Sequence, residues 1–349
     1  MDEMAQLNLL RAEVPRPAPG DLRTEEDRLL AEIAAPGSAR LPRPAHRGRA
    51  WPLRIGLSAV ATGLAAAAVA GIALSGGDPR APRASYSPQA VPVAVVQTLD
   101  RAADAATRQR ELHPRPGQFL VFESENEESV DSNSKEHGHS RYLSRDRRKI
   151  WLPVAGRATG GVLIETGLPP RRYGDWPIPP EAGQEAGTSE RTIDFDNRAE
   201  YLRTDYAYLS RLPADPQGMR AHLYDHLTPG TADGDREAWS RAGAMLTEGY
   251  MPAAQRAALF RAAATIPGAQ AVGRAEDAAG RKGIAVARVD EGAGERAEYI
   301  FDPRTYLLLG RRTVVVDAKK GQAPVGTVVE STAQLKVSVA DGAPKVTGG

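Results

Sequence analysis

His222 and His226 stand one helical turn apart, with Asp225 beside them. A spacing of four residues puts two imidazoles on one face of a helix, the arrangement in which a pair can share a zinc ion. A metalloprotease pair also carries a glutamate directly after the first histidine as general base, and that position is Leu223. The pair therefore reads as two exposed histidines on a helix. His137-Gly138-His139, with Glu136 before it, has the donors for weak chelation, but its polar surroundings favour a solvated loop. The acidic run Glu123, Glu125, Glu127, Glu128 and Asp131 lacks the ligand spacing of a calcium loop and is expected to pass off a strand end into a hairpin loop. Arg145, Arg147, Arg148 and Lys149 form a dense basic cluster that could touch anionic lipid or cell-wall polymer. A solvated strand edge, guarded against aggregation by its charges, is the favoured reading. Gly273–Gly283 is glycine-bearing, but it has the wrong spacing for a phosphate loop and lies between strands; there is also no Gly-x-Ser-x-Gly nucleophile elbow. The residues thus nominate no catalytic, cofactor-binding or metal-ligating site, and the chain is read as a non-enzyme.

Composition narrows the classes further. Lys and Arg number 45 against 44 Asp and Glu, a balance that argues against a dedicated nucleic-acid binder. There is no cysteine, which excludes disulfides, thiolate metal sites and thiol nucleophiles, and which suits export to an oxidising compartment. The chain of 349 residues, 41% hydrophobic, is long enough for a substantial core.

The elements that would position any site begin with Ile55–Leu74, twenty residues without charge or proline. At a helical rise of about 1.5 Å per residue they span roughly 30 Å, a bilayer core. A cleavable signal peptide competes, but its apolar core is shorter and its lead-in far briefer than the fifty-odd residues here; a buried soluble helix is the other alternative. Arg40, Arg43, Arg47, Arg49 and Arg54 precede the span, and only Arg80 and Arg83 follow closely, so the N-terminus is expected inside the cell and the C-terminal part outside. Trp51 sits where an interfacial anchor belongs. Gly63, Ala67 and Gly71 form a small-residue stripe that would let two helices approach, although such spacing arises readily in an alanine-rich segment.

Residues 1–50 form a cytoplasmic arm with two short helices, about Glu3–Glu13 and from Thr24, separated by Pro15, Pro17 and Pro19. Helices this short are marginal alone, so residues 1–35 read either as a disordered tail or as a docking segment that folds on a cytoplasmic protein. Residues 75–91 form an extended linker. Residues 92–349 are expected to be an α+β domain, in which an antiparallel β-meander packs on helices. A helix starts at Pro92; strands follow at Gln118–Glu123, Arg141–Leu152 and Gly161–Glu165, then a long surface loop over Pro169–Gly187. Helices are placed after Pro216, over Arg236–Leu246 and from Pro252. The closing meander comprises Lys282–Asp290, Ala297–Phe301 and Tyr306–Val316, which alternate apolar and polar residues between turn-formers, and a final run over Thr327–Val339.

The chain resembles an actinobacterial family of uncharacterised single-pass membrane proteins. The motifs are Leu7–Pro17 (LNLLRAEVPRP), Leu212–Tyr224 (LPADPQGMRAHLY), Ala257–Gln270 (AALFRAAATIPGAQ), Asp277–Val286 (DAAGRKGIAV) and Tyr299–Gly310 (YIFDPRTYLLLG), which with the span cover nearly the full length. The resemblance implies a gene placed near extracytoplasmic-function sigma factors and an exported part similar to the half-barrel folds of lipoprotein carriers and sigma-regulator periplasmic proteins. It transfers no catalytic residue. The expectation is a membrane-anchored sensor that binds an external ligand and signals to a cytoplasmic partner; the alternative is a tethered lipid or lipoprotein carrier.

Overall fold

The computed structural model describes residues 90–346 apart from 135–137, 157–159, 184–186, 194–199 and 248, and these belong to one compact unit. The arm, the span at Ile55–Leu74, most of the 75–91 linker, Glu136 and His137 lie outside the described residues. Among the described residues no helix is long and apolar enough to cross a membrane.

The unit is α+β, built on one nine-stranded antiparallel sheet. The helix α1 (Val93–Arg108) comes first, then β1 (Phe119–Ser134), β2 (Gly138–Pro153), β3 (Gly161–Arg172) and β4 (Thr188–Ile193). Four helices follow: α2 (Tyr206–Leu209), α3 (Pro216–Leu223), α4 (Ala232–Thr247) and α5 (Ala253–Ala263). The chain closes with β5 (Ala269–Glu276), β6 (Lys282–Asp290), β7 (Glu295–Phe301), β8 (Leu308–Val315), the short α6 (Ala318–Gly321) and β9 (Val328–Ala340). The spatial order β4-β3-β2-β1-β9-β8-β7-β6-β5 describes two meanders joined where β1 pairs with β9. Short turns link β1 to β2 and β5 through β8, because an antiparallel pair needs only a few residues to reverse, whereas β3 reaches β4 through 173–187 and β8 reaches β9 past α6.

The period-3.6 stripe of α1 buries Val95, Leu99, Ala102, Ala103 and Ala106 against α5 and the sheet. From the sheet side, Val286, Tyr299 and Phe301 point into the same core. Trp239 of α4 stacks on Tyr299 with ring centroids 4.4 Å apart, and Tyr299 donates its hydroxyl proton to the Trp239 carbonyl. Burial therefore pushes the Tyr299 phenol far up. The helix α3 starts where expected, because Asp215 caps it by accepting from the Gly218 amide at 2.7 Å and Pro216 fits the first turn. A second apolar cluster, Leu120, Phe122, Ile150, Leu163 and Ile193, lines the first meander and meets Tyr250.

Several expectations need correction. The strand β1 runs on through the acidic residues to Ser134 instead of leaving the sheet as a loop. The supposed loop from Pro169 begins as the end of β3 and buries Tyr173, which is 1% exposed and donates to the Gly321 carbonyl at 3.0 Å. The strands β4 and β5 were not foreseen; their mixed burial gives no clean alternation, as befits edges with one neighbour each. Pro92 and Pro252 occupy N-cap positions, one residue before their helices.

Candidate functional site

The acidic and basic runs form one cross-strand ladder. Antiparallel register sets Glu123 opposite Lys149, Glu125 opposite Arg147 and Glu127 opposite Arg145, all on one face because alternate residues share a face. Arg145 Nε lies 2.8 Å from Glu127 Oε1, Arg171 Nη1 2.6 Å from the same oxygen, and Arg147 pairs with Glu125. On the opposite face Arg148 Nε lies 2.8 Å from Asp146 and 2.9 Å from Glu165, which also holds Arg191 at 2.7 Å. Burial pushes the Glu127 carboxyl up, and the flanking Arg171 and Arg145 pull it partly back. The strand β2 is no edge, since β1 and β3 pair on its two sides. Its bases answer carboxylates of the same sheet, and this is why they sit at alternate positions.

The histidines do not converge. The helix α3 ends at Leu223, and His226 lies beyond it in a left-handed conformation, φ 59°, with its ring 4.8 Å from that of Tyr201. His222 is half-buried 5.9 Å from the Tyr208 ring, and burial lowers its pKa, so it rests neutral. His139 donates to or accepts from Asp131 at 2.7 Å and meets the edge of Trp176. Among the described residues no three or more His, Asp or Glu side chains cluster as a metal site would require.

The feature the sequence did not announce is a cleft of about 340 Å³ where the sheet splits. The strands β8 and β9 pair from Val314–Val328 to Gly310–Ala333, after which β9 continues beside β1 alone, from Gln334 opposite Ser124 to Ala340 opposite Phe119. The last shared rung depends on Gly310: a methyl group there would overlap the Thr332 carbonyl oxygen. Past that rung the gap opens beneath α1 and the α4–α5 junction. Met245, Leu246, Met251, Phe260, Leu308 and Val337 supply apolar walls. Leu335, 38% exposed, also lines it.

The charges of the cleft are one-sided. Arg110, Arg256, Arg281 and Lys336 line it, and among the described residues no acidic side chain does. Arg281 is already engaged: Nε donates to buried Asp277 Oδ2 at 2.7 Å, and Nη2 donates to the Leu309 and Gln334 carbonyls at 2.7 and 2.9 Å. It ties together the two strands that part. Arg256 is different. Among the described residues its Nε has no hydrogen-bond partner, its Nη2 makes one long bond of 3.4 Å to the Ala106 carbonyl, and its guanidinium stands 5.8 Å from the centre of the Tyr250 ring. Burial lowers its pKa, and the fields of Tyr250 and Glu111 pull it only partly back. Tyr250 holds the site's shape by accepting from the Leu112 amide at 2.6 Å, and Glu111 is occupied in accepting from the Ala253 amide at 3.1 Å.

No protein-family model matches the chain, and no curated protein matches it. Among solved structures it is similar to the Pseudomonas aeruginosa MucA/MucB complex, at 12% sequence identity and a TM-score of 0.24, with 72% of this chain and 59% of that chain covered. The chain thus spans somewhat over half the length of that neighbour.

Proposed function

We propose that this chain is a non-enzymatic, membrane-anchored envelope protein whose exported domain binds an apolar-bodied ligand in the cleft. Through the span at Ile55–Leu74 it would couple that binding to a cytoplasmic partner held by residues 1–35, in sigma-factor-related regulation. The observation that carries this reading is the cleft: about 340 Å³, apolar-walled and formed where β9 leaves β8, it falls in the range of small-molecule sites, roughly 300–1,000 Å³. A half-barrel belongs to the same proposal, supported by an open sheet whose outer strands β4 and β5 stand at opposite ends of the strand order. A tethered lipid or lipoprotein carrier is the second reading. It draws on the same cleft and differs in having no need of the arm.

The test is extraction and mass spectrometry of acyl lipids from the purified full-length protein and from Leu335→Trp, which plugs the cleft at its half-exposed lip. Bound acyl lipid in the native protein and less in the variant supports the reading; no bound lipid in either, or equal amounts, overturns it. Deleting residues 1–35 separates the two roles. A sensor loses ligand-dependent cross-linking to its cytoplasmic partner, whereas a carrier keeps transferring lipid between vesicles.

A further inference from the structure

Resting on the reading that the cleft holds an apolar-bodied ligand, we infer that the ligand carries an acidic head group, a carboxylate or phosphate, and that Arg256 is the residue that reads it. Three observations converge on this assignment.

The first is the asymmetry of charge. The chain as a whole is nearly neutral, yet among the described residues four bases and no acid line this one cleft. Chance mixing of a balanced composition does not favour that outcome, and a one-signed concavity raises the local concentration of oppositely charged ligands.

The second is the state of Arg256 itself. A guanidinium has five N–H donors and is worth burying only when they are met. Among the described residues the guanidinium makes one long bond and its buried Nε has no acceptor, while Glu111 is committed to the α5 amide end. The charge is already stripped of much of its water, so an arriving oxyanion gains a charge-assisted, fork-shaped contact without paying again for desolvation of the arginine. Arg281 lacks this freedom, because Asp277 and two carbonyls consume it.

The third is placement. Arg256 sits on α5 one turn before Phe260, so the cation and an apolar wall residue lie on the same stripe of one helix. Arg110 and Lys336, both exposed, stand on other walls of the same opening. An amphiphile entering tail-first among Met245, Leu246 and Phe260 would leave its head among these bases.

The experiment uses the full-length chain in nanodiscs with three diazirine probes: a photoreactive palmitic acid, its methyl ester, and a photoreactive phosphatidic acid. Adducts are mapped by peptide mass spectrometry. Both acidic probes are expected to label cleft peptides about tenfold more than the ester, the ratio that one charge-assisted hydrogen bond supplies. In Arg256→Gln that preference should fall to near unity while ester labelling persists, which shows that the variant is folded and the cleft open. Labelling by palmitic acid alone assigns a free carboxylate, and labelling by phosphatidic acid alone assigns a phospholipid; either supports an acidic head. Equal labelling by acid and ester, or a preference that survives in Arg256→Gln, overturns the inference while leaving the apolar site intact. No labelling of the cleft by any probe overturns the underlying reading instead.

Discussion

The first meander and the cleft both carry dense positive charge, and they use it in opposite ways. On β1–β2–β3 every prominent base has an acidic partner: Arg145 with Glu127, Arg147 with Glu125, Arg148 with Asp146 and Glu165, Lys149 with Glu123. In the cleft only Arg281 is so matched, through Asp277, while Arg110, Arg256 and Lys336 form no ion pair among the described residues. Buried or half-buried bases answered within the fold stabilise registry and strand pairing. A buried base that the fold leaves unanswered costs stability and stands ready to meet a charge the fold does not contain.

Moving a base from one class to the other should break the contrast most sharply. Asp277→Ala removes a buried carboxylate that accepts from the Ala279 and Arg281 amides as well as from the Arg281 side chain. Loss of about 3 kcal/mol is expected, as when one partner of a buried pair is deleted, and urea unfolding would measure it. A loss below about 1 kcal/mol would mean that Arg281 is not the tie between β8 and β9. Gly310→Ala attacks the same junction from the backbone side. It should destabilise by about 1–3 kcal/mol through overlap with the Thr332 carbonyl, visible as a lowered thermal midpoint.

A pH titration sharpens the contrast on the helical side. His222 has its folded pKa lowered by burial, so the unfolded chain takes up a proton first as pH falls through about 6.5. Its contribution to stability is therefore present above that value and is lost as pH falls toward the folded pKa. His222→Gln should flatten the stability–pH slope in this window, read by denaturation midpoints at pH 7.5 and 5.5. Glu127 runs the other way. Its raised folded pKa favours the protonated form, so its contribution is full below the unfolded value near 4.5 and declines as pH rises through the folded one. The smallest effect belongs to Lys149→Ala. Its side chain is 45% exposed and its distance to Glu123 is 3.4 Å, so the change should stay within about 0.5 kcal/mol.

How much of this could be read in advance depended on the range of the interaction. The strand over Lys282–Asp290 was legible because alternation and flanking turns are local signals. The helix α1 was legible from one periodic stripe, and α3 from Asp215-Pro216. The ladder does not show in either half alone: acids at 123, 125 and 127 resemble a loop, and bases at 145, 147 and 149 resemble an edge. Their shared period of two was the available signal, since a hairpin between them brings opposite charges face to face. The cleft gave no comparable signal. Its walls come from α1, the α4–α5 junction, Arg281, the β8 start and the β9 end, and it exists only because β9 changes neighbours past Ala333. In the sequence Arg256 resembles any polar position in an alanine-rich helix; that its Nε has no acceptor among the described residues follows only from the fold.

The most direct test is the ratio of acid-probe to ester-probe labelling in two arginine variants of the full-length protein, Arg256→Gln and Arg145→Gln. The account predicts that the ratio falls to near unity in Arg256→Gln and stays at its native value in Arg145→Gln, whose base is answered by Glu127. An unchanged ratio in Arg256→Gln would contradict it.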